Sequence, residues 1–515
     1  MSRQRILAVE DVAQIIAWLA AYQGVIGTAV DASGQAWSLA GTSGGAFTVP
    51  TNRPDVVAAV VAALGTRKIW ADQGTATAKA LRNGSRLDVA TFDRVFCVQT
   101  LRAVLRPGTL PPKRPTAAPA AAGSVAREVT EMHAAHPIEE RRLALESVRQ
   151  DVLWRPRQVA GMTLDVAMLK AETSRVWKLK SELAKANGVD LTADTDEVLA
   201  WVAAAGITIV DRDGQPTLSR DYFDGAVVPE ASSEAWAAFR TARSLKSSMD
   251  KLMELSRAEV RGKMYPQVVI RHAVTGRGTV RRPALQNLAG KLRPLLTAAP
   301  GKVLVSLDIA RCEVMLAAAM SGDTALAAAL NAGDPYVALV VAQFGEDRAG
   351  DAALRAQFKR ALIASLYGQG AASLAVALKI SETEAKELKS GLKRQWPRVF
   401  EWIAENTAAA KAGVAGRTLT GRPTPVLEAT AAFKRTNHVV QGSGADFLYR
   451  GVARVAERLG PEVLYLTVHD ELVLEVNPEG ADEACRVLVE SMTFELPGGL
   501  VLTGDAQVLG TSWGK

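Results

Sequence analysis

Two apolar runs, residues 463–468 and 472–476, are separated only by His469, Asp470 and Glu471. Both read as buried strands, and so short a gap leaves room only for a tight hairpin tip. Adjacent carboxylates at the tip of a buried hairpin repel each other and are costly to desolvate. Either the tip lies in solvent or a cation compensates its charge. Hard divalent ions such as Mg²⁺ take one or two carboxylates together with substrate phosphates and keep several waters.

A second β-rich run, residues 303–307, delivers Asp308 and then turns into a helix that carries Glu313 and the stretch 315–320. On its own an aspartate there reads as a turn or helix-cap residue. On strands that neighbour each other, Asp308 and Asp470 could instead hold two ions about 3.5–4 Å apart, as in-line phosphoryl displacement requires. A third element is a helix over 352–366, with Asp351 as its N-cap. Arg355, Lys359, Ile363 and Tyr367 recur every four residues and share one stripe, which ends beside Gly368. Such a stripe could grip a triphosphate through Arg355 and Lys359 and stack a base near Tyr367; the other reading is a solvated basic face. Gly368 and Gly370 follow a helix rather than a strand and so make no phosphate loop.

Composition sets the class. A chain of 515 residues implies about three domains. With 48% hydrophobic and 22% charged residues it is neither disordered nor collagenous. No apolar run reaches the ~18 residues of a membrane helix, so no membrane is expected. Glu10 and Asp11 follow Arg3 and Arg5 too soon for a signal peptide. Cys97, Cys312 and Cys485 lie far apart, which excludes a disulfide scaffold and suits a reducing cytoplasm. The net charge is +7, but thirteen Lys or Arg fall between Arg240 and Arg293 against only Asp250, Glu254 and Glu259. A basic block inside a folded region suits a polyanion track, or else a solvated helix face.

Along the chain, residues 25–40 read as a hairpin and 55–64 as an apolar helix. The Pro/Ala-rich stretch 107–125 reads as an extended linker. Long charged helices are expected at 164–187 and 232–261, and buried strands interleaved with helices after Thr275. His133 and His136 lack a third ligand nearby and read as surface residues. Trp18, Trp70, Trp154, Trp236 and Trp402 read as core or interface residues.

In order along the chain stand Thr275-Gly-Arg277, Leu285-Gln-Asn287, Asp308 with Glu313, Arg355/Lys359/Tyr367-Gly368, Gln441-Gly442 with Ala445-Asp446, and Val468-His-Asp-Glu471. This series resembles the family A DNA polymerases over roughly residues 145–515. The resemblance implies a mixed α/β right-hand fold with palm, fingers and thumb, preceded by a small ribonuclease H-like exonuclease-type domain. The corresponding divisions are 1–106 for a degenerate 3′–5′ exonuclease-like domain, 107–125 for the linker and 126–274 for the thumb and connecting helices. The palm takes 275–317 and 416–515, and the fingers 318–415. The implied reaction is template-directed addition of deoxynucleoside triphosphates to the primer 3′-hydroxyl of primer–template DNA, by a monomer in a bacterial cytoplasm, or a host cytoplasm if the chain is viral.

The same resemblance implies the site. Asp308 and Asp470 would hold two Mg²⁺ ions, with Mn²⁺ an expected substitute, and Glu471 would support the primer end with His469 beside it. Arg355 and Lys359 would bind the incoming phosphates, Lys359 also donating a proton to pyrophosphate. Glu313 matches the gate that excludes a ribose 2′-hydroxyl; Ile363, Tyr367 and Tyr336 complete the nucleotide pocket. Arg277, Asn437 and Gln441 match readers of the minor-groove edge, with Gln286 and Asn287 also facing DNA.

Departures are specific. The metal motif usually runs Asp-Tyr-Ser-Gln-Ile-Glu-Leu-Arg, whereas residues 308–315 keep only the aspartate and the glutamate. Ile363 replaces an aromatic residue beneath the sugar, and Tyr336 a histidine near the triphosphate. In the N-terminal domain, residues 68–73 and Phe92-Asp93 fall roughly where the exonuclease fold expects them. No Asp-x-Glu opens that domain, Thr77 stands where an aspartate belongs, and no Tyr-x-x-x-Asp closes it. A remnant without nuclease activity is expected, and no chain is left for a 5′-nuclease. The competing readings are a single-subunit RNA polymerase, which Glu313 argues against, and a non-catalytic primer–template binding protein.

Overall fold

The structure, a computed structural model, describes residues 12–31, 36–42, 46–64, 67–72, 95–97, 99, 100, 104, 118–211, 213–378 and 380–514. Thr77, Phe92 and Asp93 lie outside these residues, as does 107–117. Among the described residues no single helix is long and apolar enough to cross a membrane. One adjoining pair, Thr324–Ala332 and Pro335–Phe344, passes only when taken together and is bent by 105°.

The N-terminal part is a five-stranded sheet in the order Ala46–Pro50, Ala36–Ala40, Ile26–Val30, Ile69–Ala71, Val95–Cys97. The first three strands pair antiparallel, and the last two join in parallel. The expected hairpin and the helix Pro54–Leu64 are both present. Ile26–Val30 carries no carboxylate; its Thr28 is buried and bonds to Trp37 and to the Ser38 carbonyl.

One expectation fails here. The helix Ala118–Ala135 takes in residues 118–125, where the sequence predicts an extended linker. Pro119 sits in its first turn, where a missing N–H costs nothing, and the following alanines favour helix. Val125, Ala126 and Val129 are buried. Contact with the sheet is close enough that a Cβ on Gly27 would run into the Ala122 carbonyl.

Helices Val166–Asn187 and Ser233–Ala258 match the two long charged helices expected. Asp165 caps the first, and Gly188 ends it at φ 70°, where a side chain would be strained. The tip of this pair has its own small core around Phe239, Val198 and Ile209. A larger continuous core runs from Trp154 to Trp513 and unites the central sheet with the helices around it.

That sheet has four antiparallel strands in the order Leu464–Val468, Glu471–Val476, Val303–Ile309, Gly504–Gly510. Leu464–Val468 stands at one side of this sheet and Glu471–Val476 inside it, and both apolar runs are largely buried on both faces. Helices Arg435–Leu459 and Ala481–Ser491 pack around it, and helices from Thr324 to Lys411 rise beside the end that carries Asp308.

Candidate active site

Register does the first work. Asp308 sits directly across from Glu471 on the adjacent strand, and the Ile309 N–H donates to the Asp470 carbonyl at 3.3 Å. Only His469 and Asp470 form the hairpin turn, since Val468 pairs with Glu471. His469 adopts φ 56°, and Arg311 turns the other strand into its helix at φ 53°. Two segments far apart in sequence thus bring their acids to one end of neighbouring strands.

The electrostatics are those of an undercompensated anionic site. Burial and the Asp308 charge push the Asp470 carboxyl up to about 6. Asp308 is raised by loss of hydration and by Glu471, against the pull of Arg293 and Lys359. Burial also raises Glu471. Trp513 Nε1 donates to Glu471 at 3.2 Å, Arg293 lies 3.7 Å from the same carboxylate, and the Arg293 guanidinium covers the Trp513 ring at 4.4 Å. Neither Arg293 nor Trp513 was singled out from sequence. Their link to Glu471 is made by folding the last residues back onto the sheet, and no local pattern announces it.

Among the described residues no group of three or more His, Cys, Asp or Glu is arranged to hold a metal alone. The donor set fits ions that complete their shells with phosphate and water: two carboxylates, both raised by partial burial, Asp470 also by Asp308 and Asp308 also by Glu471.

Helix Ala352–Leu366 begins as expected, with Asp351 accepting from the Ala353 and Leu354 N–H groups at 3.0 Å each. Its basic residues differ in state. Lys359 is exposed, and its charge reaches Asp308. Arg355, expected to grip phosphate, donates from Nε and Nη2 to Asp334 at 2.8 and 2.6 Å. Tyr336, expected beside the triphosphate, is instead buried at 1% exposure, with Arg355 over its ring at 5.7 Å. Its position follows from Asp334 capping the apolar helix Pro335–Phe344, which turns Tyr336 inward. Ile363 is half-buried against the core. Tyr367 ends the helix and accepts from Gln441 Nε2 at 3.2 Å. Burial and the Glu313 charge raise its phenol well above the ordinary range. Glu313 also meets Arg277 at 3.3 Å.

Arg277, Gln286, Asn287, Gln441 and His469 all line one pocket of about 230 Å³ behind the carboxylates. Gln286 is already committed, which departs from its expected role in reading DNA. Its amide donates to the Thr467 carbonyl at 2.9 Å and accepts from the Val280 N–H at 3.1 Å, tying two strands together. Asn437 is one helical turn before Gln441, outside the pocket lining, and its buried Oδ1 has no partner among the described residues.

The basic window is partly internal. Arg243 and Lys246 pair with Asp194, Lys251 pairs with Glu254, and buried Arg271 pairs with Asp446. Arg240, Arg257, Arg261, Arg282 and Lys291 remain exposed. The two histidines are not simple surface residues either. His133 is half-buried, edge-on to Trp70 at 6.0 Å, and His136 bonds to Glu140 at 3.0 Å.

The sequence model of DNA polymerase family A matches residues 228–515. Thermostable DNA polymerase I of Thermus aquaticus is 28% identical over 392 residues, 69% of this chain and 46% of that protein. DNA polymerase I of Aquifex aeolicus is 30% identical over 266 residues, 48% of this chain and 46% of that protein. The DNA polymerase of Mycobacterium phage D29 is 28% identical over 225 residues, covering 44% and 37%. The chain therefore spans about half the length, or less, of the curated relatives it matches. Among solved structures, the POL domain of Pol1 from M. smegmatis, in complex with DNA primer-template and dNTP, superposes with a TM-score of 0.82 at 21% identity. The match covers 99% of both chains.

Proposed function

Because the chain belongs to DNA polymerase family A, we infer that its cleft catalyses template-directed addition of deoxynucleotides to a primer 3′-hydroxyl. Polymerases of this family use divalent metal ions, and the finer assignment to two Mg²⁺ ions rests on Asp308 and Asp470. The observation that carries the reading is the sheet register, which sets Asp308 against Glu471 and bonds Ile309 to Asp470. When bound, the ions supply the positive charge that lowers the pKa of the attacking hydroxyl and offsets that of the departing pyrophosphate.

The remaining roles belong to side chains. Lys359, exposed and electrostatically coupled to Asp308, binds the triphosphate and is the proton donor to pyrophosphate. Arg355 joins it by leaving Asp334 for phosphate. Glu313, hydrogen-bonded toward Tyr367 and Arg277, fills the space a ribose 2′-hydroxyl needs, which favours deoxynucleotides over the RNA polymerase reading. Tyr367 supports the base pair, while Ile363 gives the sugar an aliphatic rather than a flat floor. Arg277, Gln441, Asn437 and Asn287 meet the minor-groove edge, where the acceptors are nearly the same for every pair and report shape rather than sequence. His469 stands at the primer end, and Glu471, steadied by Trp513, fixes the hairpin tip. The N-terminal sheet, whose first strand lacks a carboxylate, acts as a structural module without proofreading.

The test is a labelled primer annealed to a longer template, incubated with Mg²⁺ and either deoxy- or ribonucleotides. Extension with deoxynucleotides and an unshortened primer without them is expected. Absence of extension while the duplex is bound would favour the non-catalytic reading.

A further inference from the structure

Behind the pocket that holds Arg277 and Gln441, three charged side chains are buried together: Arg271, Asp446 and Arg422. None of the steps proposed above uses them. Asp446 accepts from Arg271 Nη1 at 2.5 Å, from Arg422 Nε at 2.8 Å and from the Thr420 hydroxyl at 2.6 Å. Burial by itself would raise this carboxyl; the charges of Arg422 and Arg271 outweigh it and hold it at about 2. Well-packed apolar side chains of similar volume usually stabilise a core at least as well as a buried ion cluster. What the cluster supplies is therefore sought in geometry.

The free arm of Arg422 supplies an answer. Its Nη2 donates to the Thr275 carbonyl at 3.1 Å and to the Gly442 carbonyl at 3.2 Å. Thr275 belongs to the turn that ends in Arg277, closed by the Ala273 N–H donating to the Arg277 carbonyl at 2.9 Å. Gly442 follows Gln441 directly. Both contact points require glycine: a Cβ on Gly276, at φ 88°, would collide with the Arg422 guanidinium, and one on Gly442 would lie 2.9 Å from Nη2. One guanidinium thus fills the space between the turn bearing Arg277 and the helix bearing Gln441. Just past that turn, the Tyr449 hydroxyl bonds to the Gly278 backbone, with Arg271 over the Tyr449 ring at 4.8 Å.

We propose that Asp446 and Arg422 form a positioning clasp that fixes Arg277 relative to Gln441, so that both donors meet the minor groove of the primer–template duplex at a set spacing. The clasp rests on the polymerase reading above. Minor-groove acceptors occupy nearly equivalent places in all correct pairs, so a fixed pair of donors senses pair geometry. Loosening the clasp weakens duplex binding and relaxes discrimination against a mispaired primer end, leaving the chemical step in place.

The experiment is a double-mutant cycle on the full chain with Arg422→Lys and Arg277→Ala, read as the dissociation constant for matched primer–template and as the ratio of mispaired to paired primer extension. Lysine keeps a cation beside Asp446 but cannot reach both carbonyls. Each single variant should weaken duplex binding about tenfold, equivalent to ~1.4 kcal/mol, and the double variant should be no weaker than Arg277→Ala alone. In Arg422→Lys the KM for the incoming nucleotide and the kcat at saturating matched primer–template should both stay unchanged, and a general loss of folding would lower that kcat. Should Arg422→Lys fail to fold, Thr420→Val, which removes one bond to Asp446, takes its place in the cycle. Effects that multiply in the double variant, or a clasp variant with wild-type duplex affinity and mispair ratio, would overturn the clasp. A wild-type chain that neither binds nor extends primer–template would overturn the polymerase reading itself.

Discussion

Arg355 sends both Nε and Nη2 to one carboxylate oxygen of Asp334, at 2.8 and 2.6 Å. The same Asp334 also caps helix Pro335–Phe344 by accepting from the Tyr336 and Val337 N–H groups. A side chain proposed to hold triphosphate is therefore parked on a carboxylate, and nucleotide must displace it. Arg355 and Asp334 are both partly exposed to solvent, and surface pairs of that kind are worth about 0–1 kcal/mol. Replacing Asp334 by Asn keeps the cap and removes the competing charge. The KM for deoxynucleotide should fall by about two- to fivefold, measured in steady-state primer extension; an unchanged or higher KM would separate Arg355 from the phosphates.

Glu313 occupies the space between Arg277 and Tyr367. Shortening it in Glu313→Ala should raise ribonucleotide incorporation relative to deoxynucleotide by about tenfold or more, a change of ~1.4 kcal/mol in relative transition-state binding. Single-nucleotide insertion with each sugar checks it. An unaltered ratio would mean that the gate lies elsewhere.

Asp446 makes a pH prediction with a definite sign. Its folded pKa, about 2, lies below the ordinary 3.8, so its stabilising contribution is present above pH ~4 and is lost as pH falls toward 2. Denaturant unfolding of the wild-type chain should show stability falling through that window. In Asp446→Asn the slope there should be shallower and the stability at neutral pH lower. Equal slopes would show that the carboxylate is not held down by its two arginines.

At Gly27 the N-terminal sheet meets the helix Ala118–Ala135 so closely that a methyl group has no room against the Ala122 carbonyl. Gly27→Ala should destabilise that module by roughly 1–3 kcal/mol, seen as faster proteolysis of residues before 136, while primer extension continues. Loss of extension would mean that the module supports the cleft directly.

The parts legible in the sequence were those fixed by local pattern. Two continuous apolar runs around a short acidic tip announced the hairpin that presents Asp470, and Asp351 announced the helix that presents Lys359. The strand containing Asp308 was legible as a strand, but its place between Glu471–Val476 and Gly504–Gly510 is a property of the assembled sheet. What escaped was set by tertiary contact. Gln286 looks like any exposed amide until Thr467 and Val280 use both its ends. Arg355 and Asp334 stand 21 residues apart on separate helices, and Trp513 reaches Glu471 only because the last strand folds back. The stretch after Pro119 is helical despite that proline, because a proline that breaks a helix interior is harmless in its first turn.

The most direct measurement compares Asp308→Asn and Asp470→Asn with the wild-type chain in Mg²⁺-dependent primer extension, with duplex affinity determined alongside. Both variants should retain primer–template binding and lose extension by about a thousandfold or more, ~4 kcal/mol of barrier. Extension at near wild-type rate in either one, with folding intact, would contradict a shared metal site at the end of these strands.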